Sequence, residues 1–166
     1  MNLGEYTDQG FPVDEVLYWP SDGEEILQNK PALDADRVVF MRPEQILDDF
    51  TLFGKDGVTE WDVKQGLIGN CWWMAGCIAV SQNPSRIESI FLNRGVSDAG
   101  IYSVQLYALN VPITITVDDK LPVTETSDEG FDTIYGHIGR DGSIWSALLE
   151  KALAKYHGNY ARIEGG

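Results

Sequence analysis

The segment over residues 65–80 constrains the fold most, because a backbone break and a cysteine precede a long apolar run. Gly66, Gly69 and Asn70 interrupt regular structure directly before Cys71. The run after Cys71 contains no proline, and it is too long for a typical strand and far too short to span a membrane. The sequence therefore predicts a buried helix that begins at Cys71.

Cys71 at the first residue of a helix would be positioned for nucleophilic chemistry. Free N–H groups and the helix dipole favour a thiolate over a thiol at that end. The glycine bends can fold Gln65 back beside the sulfur, so that its amide and the Cys71 backbone N–H donate to an oxyanion. The alternative is that Cys71 is a small buried hydrophobic residue, as cysteines in apolar segments commonly are. Cys77 lies six residues later on another helix face, and we predict that it packs in the core.

Length and charge limit the class of protein. The chain of 166 residues is predicted to form a single domain over residues 1–166. A formal net charge of −14 argues against nucleic-acid or anionic-membrane partners, because both are polyanions. Two cysteines, no secretory signal and no apolar run of membrane-spanning length predict a reducing, cytoplasmic location.

Hydrophobic periodicity predicts an α+β fold, with helices around the buried central helix and a small antiparallel sheet beside it. Residues 1–33 are predicted to be loop-rich, with apolar side chains between Phe11 and Trp19 anchoring them to the core. Alternation over residues 102–108 and 113–118 predicts a pair of strands. The other predictions are a strand over 37–41, a helix over 44–49, a helix capped by Ser85 with Glu88, an irregular segment over 124–142, and a helix over 144–156 capped by Ser143 or Asp141 and ended by Gly158.

Several blocks of the sequence resemble, in the same order, the first lobe of the calpain protease core. Gln-Gly-Leu-Ile-Gly-Asn-Cys-Trp at residues 65–72 resembles the nucleophile segment of papain-like cysteine proteases, and most closely that of the calpains. Val-Asp-Asp-Lys-Leu-Pro at residues 117–122 and Trp-Ser-Ala-Leu-Leu-Glu-Lys-Ala at residues 145–152 resemble two later calpain blocks. Shorter matches lie at residues 11–14 and 42–46, so the resemblance covers nearly the whole chain.

The resemblance implies a papain-like first lobe of an intracellular cysteine endopeptidase that acts on protein substrates. Cys71 would attack the scissile peptide carbonyl as a thiolate, and Gln65 would donate to the oxyanion through its side-chain amide. The resemblance places the histidine base and its asparagine partner on a second lobe, and His137 and His157 fit neither the spacing nor the motif of that base. We therefore predict a half-site, inactive or nearly so without a second protease-core lobe as partner.

The resemblance also implies a calcium ion in this lobe. Its ligands would include the backbone carbonyls of Lys55 and Gly57 and the carboxylate of Asp62. A family glutamate that completes the set corresponds to Ser143 here, with Asp141 two residues earlier. Loss of a carboxylate lowers the ligand charge that tunes calcium affinity, so a calcium site and a solvated acidic turn both remain open.

Two other functions remain as alternatives to the peptidase. One is a non-catalytic calpain-like module that binds partners or calcium and keeps Cys71 by descent, and the other is an acidic structural domain without a site. Asn70 replaces the aspartate that is common in the motif, and Ser143 replaces the glutamate of the calcium ligand set. Both changes favour a module that has diverged from the active peptidases. Neither change removes the nucleophile.

Overall fold

Helices and short strands are mixed along the chain, as predicted for an α+β fold. The computed structural model describes residues 4–12, 38–125 and 130–165. Short 3-10 turns lie at Glu60–Asp62 and Ala161–Ile163. The α helices in these residues are α1 (Pro43–Ile46), α2 (Cys71–Ser81), α3 (Pro84–Ile90) and α4 (Trp145–His157), and the strands are β1 (Val39–Met41), β2 (Ile101–Ala108), β3 (Val111–Asp118), β4 (Leu121–Glu125) and β5 (Phe131–Thr133).

The predicted strand pair is confirmed as an antiparallel hairpin of β2 and β3. Ile101 pairs with Asp118 at one end and Ala108 with Val111 at the other. The two turn residues, Leu109 and Asn110, have positive φ angles. This geometry is typical of two-residue hairpin turns, because it matches the right-handed twist of the flanking strands. This hairpin packs against α4 and supplies one wall of the core.

A second antiparallel sheet, in the order β1-β4-β5, was not predicted. Residues 124–142 were predicted to be irregular, whereas β4 runs to Glu125 and β5 covers Phe131–Thr133. Pro122 lies within β4 opposite Phe40 of β1. The pairing of β4 with β5 begins at Val123, one residue after the proline. The predicted strand over 37–41 is observed from Val39 onward, and residue 37 lies outside the described residues.

The central buried position belongs to α4 rather than to α2. Every residue of α4 from Trp145 to Ala154 is buried, including polar side chains. The α2 helix buries Met74 and Cys77 on one side and exposes Trp72 and other residues on the other, so the prediction of a buried helix holds for one side only. An apolar sequence on all sides of a helix cannot indicate which side is covered.

Several predicted helix ends differ from the observed ones. The α1 helix ends at Ile46, before the predicted residue 49. The N-cap of α3 is Asn83 and not Ser85, because Pro84 already occupies the first turn and the Ser85 hydroxyl lies 2.7 Å from Asn83 Oδ1.

The last helix was predicted closely, but its cap was not. The N-cap of α4 is Ile144, and no side chain of Ser143 or Asp141 caps it. Gly158 ends the helix with a φ of 105°, a conformation that favours glycine. Tyr156 at the last turn is exposed, although it was placed on the apolar stripe.

An N-terminal arm over residues 4–12 is tied to the core by polar contacts. Asp8 is buried; its carboxylate lies 2.6 Å from Lys155 Nζ, and its backbone N–H donates to Asp118 at 2.8 Å. Phe11 is buried against a second apolar cluster, as predicted. The other predicted anchors up to Trp19 lie outside the described residues.

A buried ion pair lies beneath this arm. Lys151 and Asp118 are each about 2 % exposed, and Lys151 Nζ lies 2.5 Å from Asp118 Oδ1. Lys151 also donates to the carbonyl of Lys120 at 2.5 Å. A second pair joins Arg42 to Asp119 in the same region. Among the described residues, no helix has both the length and the apolar character to cross a membrane.

Candidate active site

The loop over residues 65–70 lies directly against the loop that follows β5. Leu67 N–H donates to the carbonyl of Ile134 at 2.8 Å. A Cβ atom at Gly66 would lie 2.2 Å from the Ile134 carbonyl oxygen and 2.1 Å from that of Tyr135, far inside any normal contact. The two backbones can therefore meet only because position 66 is glycine.

Cys71 is the first residue of α2, as predicted, and its side chain is exposed. The carbonyl of Asn70 accepts the N–H groups of Trp73 and Met74 at 3.0 and 3.2 Å, which closes the first turn. Within the described part of the chain, the N–H groups of Cys71 and Trp72 have no acceptor, as expected at a helix start. An exposed sulfur therefore lies beside free backbone donors.

The Gln65 amide is exposed but is not free in this structure. Its Nε2 donates to the carbonyl of Ile68 at 2.7 Å, a contact that the sequence did not suggest. A glutamine amide carries two hydrogens, so one remains available. The contact with Ile68 holds the amide within the loop that precedes Cys71.

A buried carboxylate that the sequence interpretation missed supports this loop from below. The Asn70 side chain does not cap α2; it donates to Glu150 Oε1 at 2.5 Å. Glu150 Oε2 accepts the N–H of Gly136 at 2.5 Å. Burial raises the pKa of Glu150 to about 7, and the two hydrogen bonds oppose that rise. An acidic residue inside the apolar stripe of α4 was the available signal.

The two thiols have opposite environments. Cys77 is 4 % exposed and packs in the main core cluster, which confirms its predicted place. Burial raises the pKa of Cys77 to about 12, and the charge of Glu150 adds to the rise. Cys77 is therefore an unreactive reference for Cys71 within the same chain.

The two histidines lie in different settings. The Nδ1 atom of His137 lies 2.9 Å from Asp132 Oδ1, and the His137 side chain is 15 % exposed. This contact ties the ring to Asp132 of β5. His157 is exposed at the C-terminal end of α4, as predicted, where it contacts the ring of Tyr156.

The last described residues contact the loop over residues 65–70 and the first turn of α2. Gly165 N–H donates to the carbonyl of Gly69 at 2.9 Å. The Trp72 indole N–H donates to the carbonyl of Ile163 at 3.4 Å. The C-terminal segment therefore forms one side of the helix start.

The predicted metal ligand Asp62 is 3 % exposed and bound by neutral donors. Its carboxylate accepts the Thr59 N–H at 2.8 Å, the Thr59 hydroxyl at 3.0 Å and the Trp145 indole N–H at 2.8 Å. Within the described part of the chain it has no cationic partner. A buried carboxylate without a countercharge is costly, and a cation would offset that cost.

Asp141 and Ser143 lie on the same side of Gly139 as Asp62. A Cβ atom at Gly139 would lie 2.0 Å from Ser143 Oγ, 3.2 Å from Asp141 Oδ1 and 3.3 Å from Asp62 Oδ1. Ser143 Oγ is buried and has no hydrogen-bond partner in the described residues. Two carboxylates and an unpaired hydroxyl thus surround one small space, and oxygen donors of this kind fit calcium.

The same space is not a complete metal site. The two Asp141 oxygens accept the N–H groups of Lys55 and Ser143, each at 3.1 Å. The Lys55 ammonium pairs with Asp49 at 2.7 Å. No group of three histidine, cysteine or acidic side chains with metal-binding geometry occurs in residues 4–12, 38–125 and 130–165. The described residues therefore supply oxygen donors here without forming an assembled metal site.

Large apolar side chains are exposed on and beside α2. Trp61 is 77 % exposed and Ile78 is 38 % exposed, and both line a hollow of about 350 Å³. Charged groups of Glu60, Lys64 and Arg140 border the same hollow. Exposed aromatic and aliphatic groups that share a charged rim are typical of protein interfaces.

Comparisons with known proteins point to one family. A family model described as calpain family cysteine protease matches residues 6–166. The chain is 32 % identical over 138 residues to calpain-5 of Mus musculus, which covers 78 % of this chain and 21 % of that protein. It is 30 % identical over 166 residues to the calpain-type cysteine protease DEK1 of Zea mays, a match that covers 97 % of this chain and 7 % of that protein. It is 32 % identical over 133 residues to the calpain-1 catalytic subunit of Homo sapiens, a match that covers 78 % of this chain and 18 % of that protein. The chain thus spans at most about a fifth of these relatives.

Proposed function

Because this chain belongs to the calpain family of cysteine proteases, we propose that it is the nucleophile-bearing lobe of an endopeptidase that cleaves protein substrates. The observation that carries the proposal is the exposed Cys71 at the start of α2, beside backbone N–H groups that have no acceptor in the described residues. Cys77 does not share these features, since it is buried in the core. The proposed nucleophile is therefore Cys71.

In the proposed reaction, the Cys71 thiolate attacks the carbonyl carbon of the scissile peptide. A carbon–sulfur bond forms, and the carbonyl electron pair moves onto oxygen. The backbone N–H of Cys71 and the second amide hydrogen of Gln65 donate to that oxyanion, and each such donor contributes about 2.7–4 kcal/mol in comparable sites. Collapse of the intermediate breaks the carbon–nitrogen bond, and the leaving amine takes the proton that the histidine base of the second lobe had removed from the Cys71 thiol. Water then hydrolyses the thioester, which releases the acid and regenerates Cys71.

The base is proposed to come from a second lobe that carries histidine and asparagine. His137 is engaged with Asp132, and His157 lies at the far end of α4. The hollow beside α2, at which Trp61 and Ile78 are exposed, supports the proposal that the second lobe docks there. We propose that the peptidase site forms between the two lobes and that this lobe is inactive alone. The two unpaired cysteines are consistent with a proposed cytoplasmic location.

Mixing the chain with a separately produced second lobe of a calpain tests this function. Cleavage of a fluorogenic peptide is expected only when both lobes are present, because each supplies part of the site. Cys71→Ala should abolish cleavage, Gln65→Ala should lower kcat/KM, and Cys77→Ala should retain activity apart from a stability cost. Lack of cleavage with a second lobe that is shown to bind would favour the non-catalytic module.

Calcium is proposed as a low-affinity ligand of this lobe. Asp62, Asp141 and the Ser143 hydroxyl would hold the ion, with the carbonyls of Lys55 and Gly57 as the resemblance implies. When bound, the ion would neutralise the charge of the two carboxylates. Asp62 contacts Trp145 at the start of α4, so its neutralisation would stabilise the junction between the loop and the central helix.

We expect about 10 mM calcium to raise the Tm of the chain by about 3 °C, as for an ion with a dissociation constant near 1 mM. Differential scanning calorimetry measures the shift. Asp141→Asn should remove most of it, whereas Asp49→Asn, which changes an exposed carboxylate nearby, should keep it. An unchanged Tm in wild type at this calcium concentration would contradict the site.

A further inference from the structure

Glu150 connects three segments of the chain beneath the proposed nucleophile. It belongs to α4 and is 1 % exposed. One carboxylate oxygen accepts the Asn70 side-chain N–H, and the other accepts the backbone N–H of Gly136. Asn70 precedes Cys71 directly, and the loop that contains Gly136 packs on Gly66. The carboxylate therefore joins the helix start to the loop that supports it.

The groups that face Glu150 carry no compensating charge. They are Cys77 from α2, Tyr135 from the loop after β5, and Tyr160 from the segment after α4. Burial raises the pKa of all three, so each is neutral at pH 7. The neighbouring Lys151 is bound to Asp118 instead. Within the described residues Glu150 has no ion pair, and it accepts hydrogen bonds from the Asn70 side-chain N–H and the Gly136 backbone N–H.

We propose that Glu150 is a positioning residue for Cys71, and that its ionised form fixes Asn70 and thereby the first turn of α2. The proposal rests on the proposed role of Cys71 as nucleophile. An ionised carboxylate only accepts hydrogen bonds, which matches the two N–H groups that point at it. When Asn70 is fixed, its carbonyl, which closes the first turn of α2, is fixed as well. The sulfur and the backbone N–H of the next residue, Cys71, are then held in place.

Protonation of Glu150 changes this arrangement. A protonated carboxyl group has one O–H donor, and Asn70 Oδ1 has no partner in the described part of the chain. The Asn70 amide would have to turn over to accept that hydrogen, since its N–H group now faces Glu150. The site thus has two hydrogen-bonded states, one with Glu150 ionised and one with Glu150 protonated. They differ by one proton, which Glu150 takes from solvent.

The test follows the pH dependence of Cys71 alkylation by iodoacetamide, with each cysteine resolved by mass spectrometry, from about pH 5 to 9. Wild type is expected to show the ionisation of the thiol and a second ionisation near pH 7, where burial sets the pKa of Glu150. Glu150→Gln keeps the shape and one of the two acceptor oxygens, an NH2 donor replaces the other oxygen, and the side chain cannot titrate. The second ionisation should therefore be absent. Glu44→Gln, an exposed carboxylate on α1, should keep it.

A second variant keeps the proposal testable if Glu150→Gln does not fold. Asn70→Ser removes the amide that contacts Glu150, retains a residue suited to a helix N-cap, and should also lose the second ionisation. If Cys71 reacts much faster than Cys77 but all variants share the wild-type profile, the role of Glu150 is wrong and the proposed nucleophile stands. If Cys71 in wild type reacts as slowly as Cys77, the proposed function itself fails.

Discussion

Replacing Lys151 by methionine is expected to lower the free energy of unfolding by about 3–5 kcal/mol, because the change leaves Asp118 buried without its countercharge. Burial acts to raise the pKa of Asp118, but the Lys151 ammonium and hydrogen bonds from Asp8, Lys151 and Lys120 outweigh it, so that the pKa is lowered. The folded state therefore holds Asp118 ionised and depends on Lys151. Urea denaturation at pH 7 measures the loss.

Matched variants separate the charge effect from the loss of a lysine. Lys64→Met changes an exposed lysine and should shift the unfolding free energy by less than about 0.5 kcal/mol. Adding Asp118→Asn to Lys151→Met should recover part of the loss, because the unpaired charge is then gone. A loss below about 1 kcal/mol for Lys151→Met would show that the pair does not hold this region together.

Replacing Gly66 by alanine is expected to lower the free energy of unfolding by about 3 kcal/mol and to abolish fast alkylation of Cys71. The new methyl group would lie little more than 2 Å from two backbone carbonyl oxygens, and backbone cannot move aside as a flexible side chain can. The loop over residues 65–70 would have to separate from its support. Thermal unfolding and the rate of reaction with iodoacetamide measure the two effects.

Gly76→Ala provides the matched control for this change. Gly76 lies within α2, and no heavy atom lies within 4 Å of the position that its Cβ would occupy. Alanine in a helix interior is favoured over glycine by about 0.5–1 kcal/mol, so this variant should be slightly more stable and react normally. Equal behaviour of the two variants would contradict the close approach at Gly66.

Local features of the sequence were sufficient for the elements next to the proposed site. Glycines and an asparagine before an apolar run predicted the start of α2 at Cys71. Alternation in two adjacent segments predicted the hairpin of β2 and β3, since the two strands are joined by only two residues. These elements depend on contacts between residues that are close in sequence.

Features that depend on distant partners were missed. The strand β1 was predicted, but its pairing was not, because its partner β4 lies about 80 residues later. Glu150 also meets Asn70 across 80 residues of sequence, so nothing local shows that its carboxylate is buried. The amide of Gln65 was predicted beside the sulfur, but no pattern of residue types shows that Ile68 accepts from it.

The hydrogen bond from Gly165 to Gly69 has a practical and a mechanical consequence. An affinity tag, a fluorophore or a surface linker fused at that end would share its attachment point with the loop before Cys71. Tension applied there would reach Cys71 through this hydrogen bond and two residues of backbone. Immobilisation from that end would therefore act on the loop that precedes Cys71.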